Sequence, residues 1–188
     1  MRDVITRIVF LDLETTGFHE QKGCILELGM IVCDVDLNVL EIEEIVLKPT
    51  AMGMFYMDPT ALKMHTESGL MKRSLEQALW GTLEAEREAV SLLEHHGCEP
   101  KRTMIAGNSV GFDVRWLREH MPRLHDFFHY RVLDMSSFHA AAGFWGQPLE
   151  KPIAKHRALS DAQDSLDAAK HYQGLFGRFK LGEVVEAP

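Results

Sequence analysis

The sequence predicts a single α/β domain, a five-stranded sheet flanked by helices, on three observations. A strand-length apolar run, Ile8-Val9-Phe10-Leu11, opens the chain and closes in the alternating acids Asp12 and Glu14. Two further strand-like runs, 25–35 and 41–48, are separated by the turn-forming Asp36-Leu37-Asn38. Beyond residue 100, short apolar segments alternate with stretches of helical periodicity, as an α/β chain requires.

The first strand covers 7–13, and Thr15-Thr16-Gly17 reads as the turn that stops it. The strand at 25–35 is nearly all apolar and reads as buried, whereas 41–48 alternates and reads as half-exposed. Ala51–Phe55, with Met52, Gly53 and Met54, reads as a mobile loop whose methionines serve as adaptable contacts or lid packing. Residues 59–65 form a short helix behind Pro59. Ser74 to His96 reads as one long amphipathic helix with Leu75, Leu79, Leu83, Val90 and Leu93 near one face. Ser74 and Gln77 would form its capping box.

Strands near 103–107 and 131–134 then alternate with helices near 113–120, 136–142 and 158–176. The last helix carries Ala158, Ala162, Leu166, Ala169 and Tyr172 on or near one face. The Pro-bearing segment Gly143–Lys155 is a candidate mobile loop before His156, and Gly182–Pro188 reads as a frayed tail. Neither an internal repeat nor a low-complexity linker divides the chain, so residues 1–181 are expected to form one domain.

Composition excludes several function classes. A chain of 188 residues can bury a substantial core, and no apolar stretch reaches the span of a membrane helix. Met1 to Thr6 has no signal-peptide profile, which points to the cytoplasm. Cys24, Cys33 and Cys98 are odd in number and widely spaced, so they read as reduced thiols, not a zinc site or a disulfide framework. The net charge of −8 argues against a long groove that tracks phosphates. Its densest basic groups, Lys72-Arg73 and the scattered Lys151, Lys155 and Arg157, make no stripe.

Asp12 and Glu14, two residues apart on a strand, project to one face. Considered alone they could equally mark a solvated edge or the start of a capping motif. Asp113 sits near the start of a helix, where a lone acid ordinarily serves the helix dipole. His156 precedes Asp161 by five residues at the start of the last helix. Four carboxylates converging on one pocket would repel each other unless cations filled it, and a nearby histidine titrates near neutrality. The set therefore carries the pattern of a two-metal phosphodiesterase site.

In that order, Asp12-x-Glu14, Asp113 and His156-x4-Asp161 resemble the DEDDh 3′→5′ exonucleases, and within them the oligoribonucleases. The stretches Asp12–Gly17, His65–Leu70, Gly107-Asn108-Ser109, Phe128–Asp134 and His156–Leu159 carry the likeness across roughly residues 7 to 177. The resemblance implies an RNase H-like fold with a central mixed sheet, and cleavage of short single-stranded RNA or DNA to nucleoside 5′-monophosphates. It further implies two divalent ions, Mg²⁺ or Mn²⁺. Asp12 would bridge them, Glu14 and Asp161 would each hold one, Asp113 would bind directly or through water, and His156 would be the general base. Thr15, Gly17, Phe18, His65, Asn108, Ser109 and Ser136 would line the substrate. His129, Tyr130 and Arg131 would cap its 5′ end from the other subunit of a homodimer.

Three positions depart from the oligoribonuclease pattern. Phe18 stands where a leucine wedge is usual, Thr60 where a tryptophan would stack on a base, and Phe112 where glutamine precedes the third acid. Phe18, the Pro59-led helix and Phe112 are features of proofreading and ribonuclease T-like relatives, which trim longer strands. His65 also admits a simpler role as a structural hydrogen-bonding residue, and Arg131–Asp134 could simply begin a buried strand.

Overall fold

The computed structural model describes residues 4–146, 149 and 156–180. Its sheet has the order β3-β2-β1-β4-β5, built from β1 (Arg7–Thr15), β2 (Ile25–Cys33), β3 (Val39–Val46), β4 (Thr103–Gly107) and β5 (Val132–Asp134). The first three strands pair antiparallel, while β4 runs parallel to β1 and β5 parallel to β4. The carboxyl ends of β1, β4 and β5 therefore share one edge, the edge where open α/β sheets place their ligands.

Alternation along β1 and β2 divides the core into two layers. Val9, Leu11 and Leu13, with Leu28, Met30 and Val32, pack against the layer that includes α4 (Thr82–His95), α5 (Gly111–His120) and α6 (Pro122–Phe127). Phe10, Ile31 and Cys33 face the opposite side, under α7 (Met135–Trp145) and α8 (Ala158–Lys180). There Ala162, Leu166, Ala169 and Tyr172 form the buried stripe of α8 that periodicity predicts. Helices α1 (Ala51–Phe55), α2 (Pro59–Glu67) and α3 (Leu70–Glu76) follow β3, and Leu70 and Met71 pack with Cys24 and Leu26. All three cysteines are free and buried.

The five strands lie near where the sequence places them, with three main shifts, one being β3, which spans Val39–Val46 and not 41–48. β1 runs through Glu14 to Thr15, and β2 stops at Cys33, where Asp34 accepts the amides of Asp36 and Asn38 and Leu37 turns with φ 66°. Residues 51–55, expected as a mobile loop, form α1. Thr50 caps it by accepting the Gly53 amide, and Gly53 sits so close to Cys24 that a Cβ there would lie 2.3 Å from its Sγ.

The expected helix from Ser74 to His96 is two helices. It breaks because Trp80 bridges Leu47 in parallel fashion and its carbonyl accepts the Lys48 amide at 2.8 Å. Ser74 is consequently no cap but a buried residue inside α3, and Leu75, Leu79 and Leu83 are exposed. Helix α6 has no counterpart in the sequence reading. It starts where Glu86, buried in α4, accepts the amides of Arg123 and Leu124. Gly143 to Trp145 belong to α7; of the expected loop Gly143–Lys155, only these three, Gly146 and Leu149 are described. The expected tail from Gly182 lies outside the described residues.

Candidate active site

Strand periodicity sets the first two acids. Phe10, Asp12 and Glu14 are alternate residues of β1, so both carboxylates continue the face that α8 covers. Across the antiparallel pair, Asp12 lies opposite Gly29 and Glu14 opposite Glu27. Gly29 allows the start of α8 to settle on the strand, since a Cβ there would come within 2.4 Å of the Leu159 nitrogen. That close approach carries Asp161, in the first turn of α8, and His156, just before it, over the β1 acids. The ligand atoms of Glu14, His156 and Asp161 all lie within 4.8 Å of one another.

Asp113, in the first turn of α5, is buried and accepts the Leu13 amide at 3.0 Å. It stands outside the tight trio, as does Asp12, yet the acids feel one another strongly. Burial first, then the charges of Asp113, Glu14 and Asp161, hold the Asp12 carboxyl well above the usual range. Burial and the charges of Asp161, Glu27 and Asp113 push Glu14 up to about 8. Asp113 rises to about 7 through burial, opposed by its own amide and that of Leu13. Carboxylates held this far from ionisation are a pocket short of positive charge, and an all-oxygen donor set with one imidazole suits hard divalent ions.

The remaining expected site residues form two groups. Around the acids, Thr15 donates its hydroxyl to the Gly17 carbonyl at 2.8 Å, and Gly17 adopts φ 153° against Asp58. Phe18 beyond it is 74% exposed and meets Phe112 edge-on at 6.2 Å. His65 is buried, its Nε2 2.8 Å from the Thr15 carbonyl, the structural bond foreseen for it. With that nitrogen donating, Nδ1 is turned toward Glu14, 3.8 Å from its Oε2. Burial keeps the ring's pKa low.

The polar turn after β4 forms the second group. Asp134 accepts the amides of both Ser109 and Ser136, the two hydroxyls meet at 2.8 Å, and Ser136 donates to Asn108. Ser109 holds φ 56°, a left-handed value costly for a non-glycine residue and fixed here by these bonds. His129, Tyr130 and Arg131 precede β5 and thus lie at its opposite end, Arg131 about 10 Å from Asp134 along an extended chain. His129 is buried, and Tyr130 is 74% exposed with the Arg131 guanidinium 5.3 Å from its ring.

Two residues beside the acids are not among the expected site residues: Glu27, fully buried on β2, and Arg157, which the sequence reading holds only as a scattered base and as part of the His156–Leu159 likeness. The signal for Glu27 is a single charge inside the apolar run Ile25-Leu26-Glu27-Leu28, which burial tolerates only with a partner.

The sheet order, the acids at the strand ends and the histidine ahead of the last helix define an enzyme of the exonuclease class. The exonuclease family profile matches residues 9–169, and the chain belongs to that family. More particularly, it is similar to oligoribonucleases. It is 36% identical to that of Ectopseudomonas mendocina, covering 90% of this chain and 95% of the relative. It is 38% identical to that of Dichelobacter nodosus over 91% and 95%. Its activity class is accordingly that of a 3′→5′ exonuclease. Among solved structures it resembles Escherichia coli exonuclease I bound to a dT13 oligonucleotide, with TM-score 0.69, 19% identity and 93% of this chain covered. The chain spans only 42% of that protein's length, so this likeness speaks for the fold alone. Among the described residues no helix is long and apolar enough to cross a membrane.

Proposed function

We propose that the protein removes nucleoside 5′-monophosphates from the 3′ end of short single-stranded oligonucleotides, RNA in particular, in the cytoplasm. The convergence of Glu14, His156 and Asp161 beside Asp12 and Asp113 carries this reading. Asp12, Glu14, Asp113 and Asp161 would hold two divalent ions, Mg²⁺ or Mn²⁺, which when bound neutralise the phosphate and stabilise the charge developing on the attacking and leaving oxygens.

The chain's own groups do the rest. His156 accepts the proton of the attacking water. Attack in line with the leaving 3′ oxygen breaks the P–O3′ bond and releases the terminal nucleotide with its 5′ phosphate. Phe18, exposed beside Phe112, offers a ring on which a base can stack. Asn108, Ser109 and Ser136 present hydroxyl and amide groups to the phosphates at the same sheet edge.

The placement of Tyr130 and Arg131 favours a homodimer. They lie at the far end of β5 from their own polar turn, so a guanidinium clamp on the 5′ phosphate would have to come from a second copy. Net charge −8 without a basic stripe favours short substrates. One observation favours trimming of longer strands as a second reading. The Phe18–Phe112 pair is present, while Thr60, at the start of α2, has no ring to cover a terminal base.

The test is a length series of 5′-labelled RNA and DNA, two to about ten nucleotides, with Mg²⁺ or Mn²⁺ and products resolved by size. Fastest turnover of the shortest RNA supports the first reading, and equal or faster turnover of long strands supports the second. Absence of any metal-dependent mononucleotide product rejects both.

A further inference from the structure

Glu27 sits opposite Glu14 in the β1–β2 register and is fully buried, the position of a further ligand. Its oxygens are otherwise engaged. Oε1 accepts Arg157 Nη2 at 2.8 Å, Arg157 Nε at 3.1 Å and Arg73 Nη1 at 3.3 Å. Oε2 accepts Arg157 Nε at 3.1 Å and the backbone amide of Ala158 at 2.9 Å. Arg157 reaches on to Glu44 Oε1 at 2.8 Å, and Arg73 pairs with the other Glu44 oxygen. Two guanidinium groups thus balance two carboxylates.

Two of Glu27's three partners, Arg157 and Ala158, lie between the general base and the last acid. Arg157 and Ala158 follow His156 directly, and the Arg157 carbonyl accepts the Asp161 amide at 3.0 Å, closing the first turn of α8. Glu27 therefore caps α8 from a neighbouring strand while its ion pair with Arg157 fixes the residue beside His156. His156 itself holds φ 53°, a backbone state a non-glycine residue keeps only where its surroundings impose it. The Gly29 contact with Leu159 blocks any inward slip of the helix.

We propose that Glu27 and Arg157 are a positioning pair that sets His156 and Asp161 against the β1 acids, without either touching substrate. This rests on the reading of His156 as the base. A displacement of about 1 Å in such a group costs on the order of 100-fold in rate.

The experiment compares Arg157→Ala, Arg157→Lys, Glu27→Gln and Arg73→Ala in kcat, KM, Mn²⁺ affinity by calorimetry, thermal midpoint and hydrogen exchange over residues 156–161. Arg157→Ala should lower kcat about 10- to 100-fold with KM nearly unchanged, weaken Mn²⁺ binding, and speed exchange of the Ala158 and Asp161 amides. Added methylguanidinium should restore part of the rate, because Arg157 lines an open cleft with Glu44 and Gln163. Arg157→Lys keeps the charge but loses the fork, and should recover less than half of the deficit. Arg73→Ala also takes an ion pair from Glu27 but leaves residues 156–158 anchored, so it should lower the thermal midpoint with a much smaller effect on kcat.

The proposal is overturned if Arg157→Ala and Arg73→Ala lose rate in proportion to their lost stability. Unaltered exchange at 156–161 in Arg157→Ala and Glu27→Gln also overturns it. Activity retained in full by His156→Ala would instead defeat the functional reading, and the exchange data would still decide the anchoring.

Discussion

The Asp113 carboxylate accepts the backbone amide of Leu13 at 3.0 Å, joining residues 100 apart in sequence. β4 pairs with β1 only as far as Phe10, so the Leu13 amide lies beyond that ladder and takes its partner from α5 instead. Asp113 thereby serves the fold and the acid cluster at once. Replacing it separates the two roles. Asp113→Asn retains an acceptor for Leu13 and should keep its thermal midpoint while metal-dependent cleavage collapses. Asp113→Ala strands a buried amide and should cost about 1–3 kcal/mol in denaturant unfolding as well. Equal stability of the two variants would show that the bond contributes nothing.

Asp12→Asn should abolish cleavage without unfolding the protein, because it removes charge and almost no volume. It should also raise the thermal midpoint in chelator, since Asp12 carries the combined strain of burial and its neighbours' charges. Measurable turnover by this variant would count against the assignment of the acids.

Metal-free stability should fall with rising pH. Glu14 is raised from 4.5 to about 8 and Asp113 from 3.8 to about 7, so the folded state holds protons that the unfolded chain has released. Their protonated forms keep full stability below the unfolded values, and that stability is lost progressively between about pH 4 and pH 8. Divalent ions compete with those protons. The gap in thermal midpoint between Mg²⁺ and chelator should therefore widen from pH 5 to pH 8. A gap independent of pH would mean that these carboxyls do not bind the ions.

His156→Ala should lower kcat by roughly 10² to 10⁴-fold and flatten the acid limb of its pH profile. An acid limb that survives the substitution would assign the base to another group.

Phe18→Ala should weaken short-oligonucleotide binding by about 5- to 100-fold, the worth of one base stack, with kcat less affected. The companion Thr60→Trp supplies a ring at the start of α2 and should sharpen preference for the two-nucleotide RNA. Unchanged KM values in a steady-state length series for both would remove base stacking from the account.

Local pattern determined much of this protein. Alternation placed Asp12 and Glu14 on one strand face, apolar or alternating runs marked the five strands, and a helical stripe from Ala158 to Tyr172 announced α8. The five candidate catalytic residues were legible because their types and order carry the chemistry.

Tertiary structure decided where helices begin and end. The run from Leu75 to Leu93 keeps helical spacing throughout, yet Trp80 breaks it by bonding to β3's exit at Leu47 and Lys48. Helix α6 starts on the Glu86 carboxylate and α8 on that of Glu27, each supplied by an element distant in sequence. Glu86 looks unremarkable in one dimension and Glu27 shows only as a lone charge in an apolar run, because a cap donated from elsewhere carries no local sign of the helix it serves. Only folding brings a buried carboxylate to a helix end, where the unpaired amides and the charge of each offset the desolvation of the other.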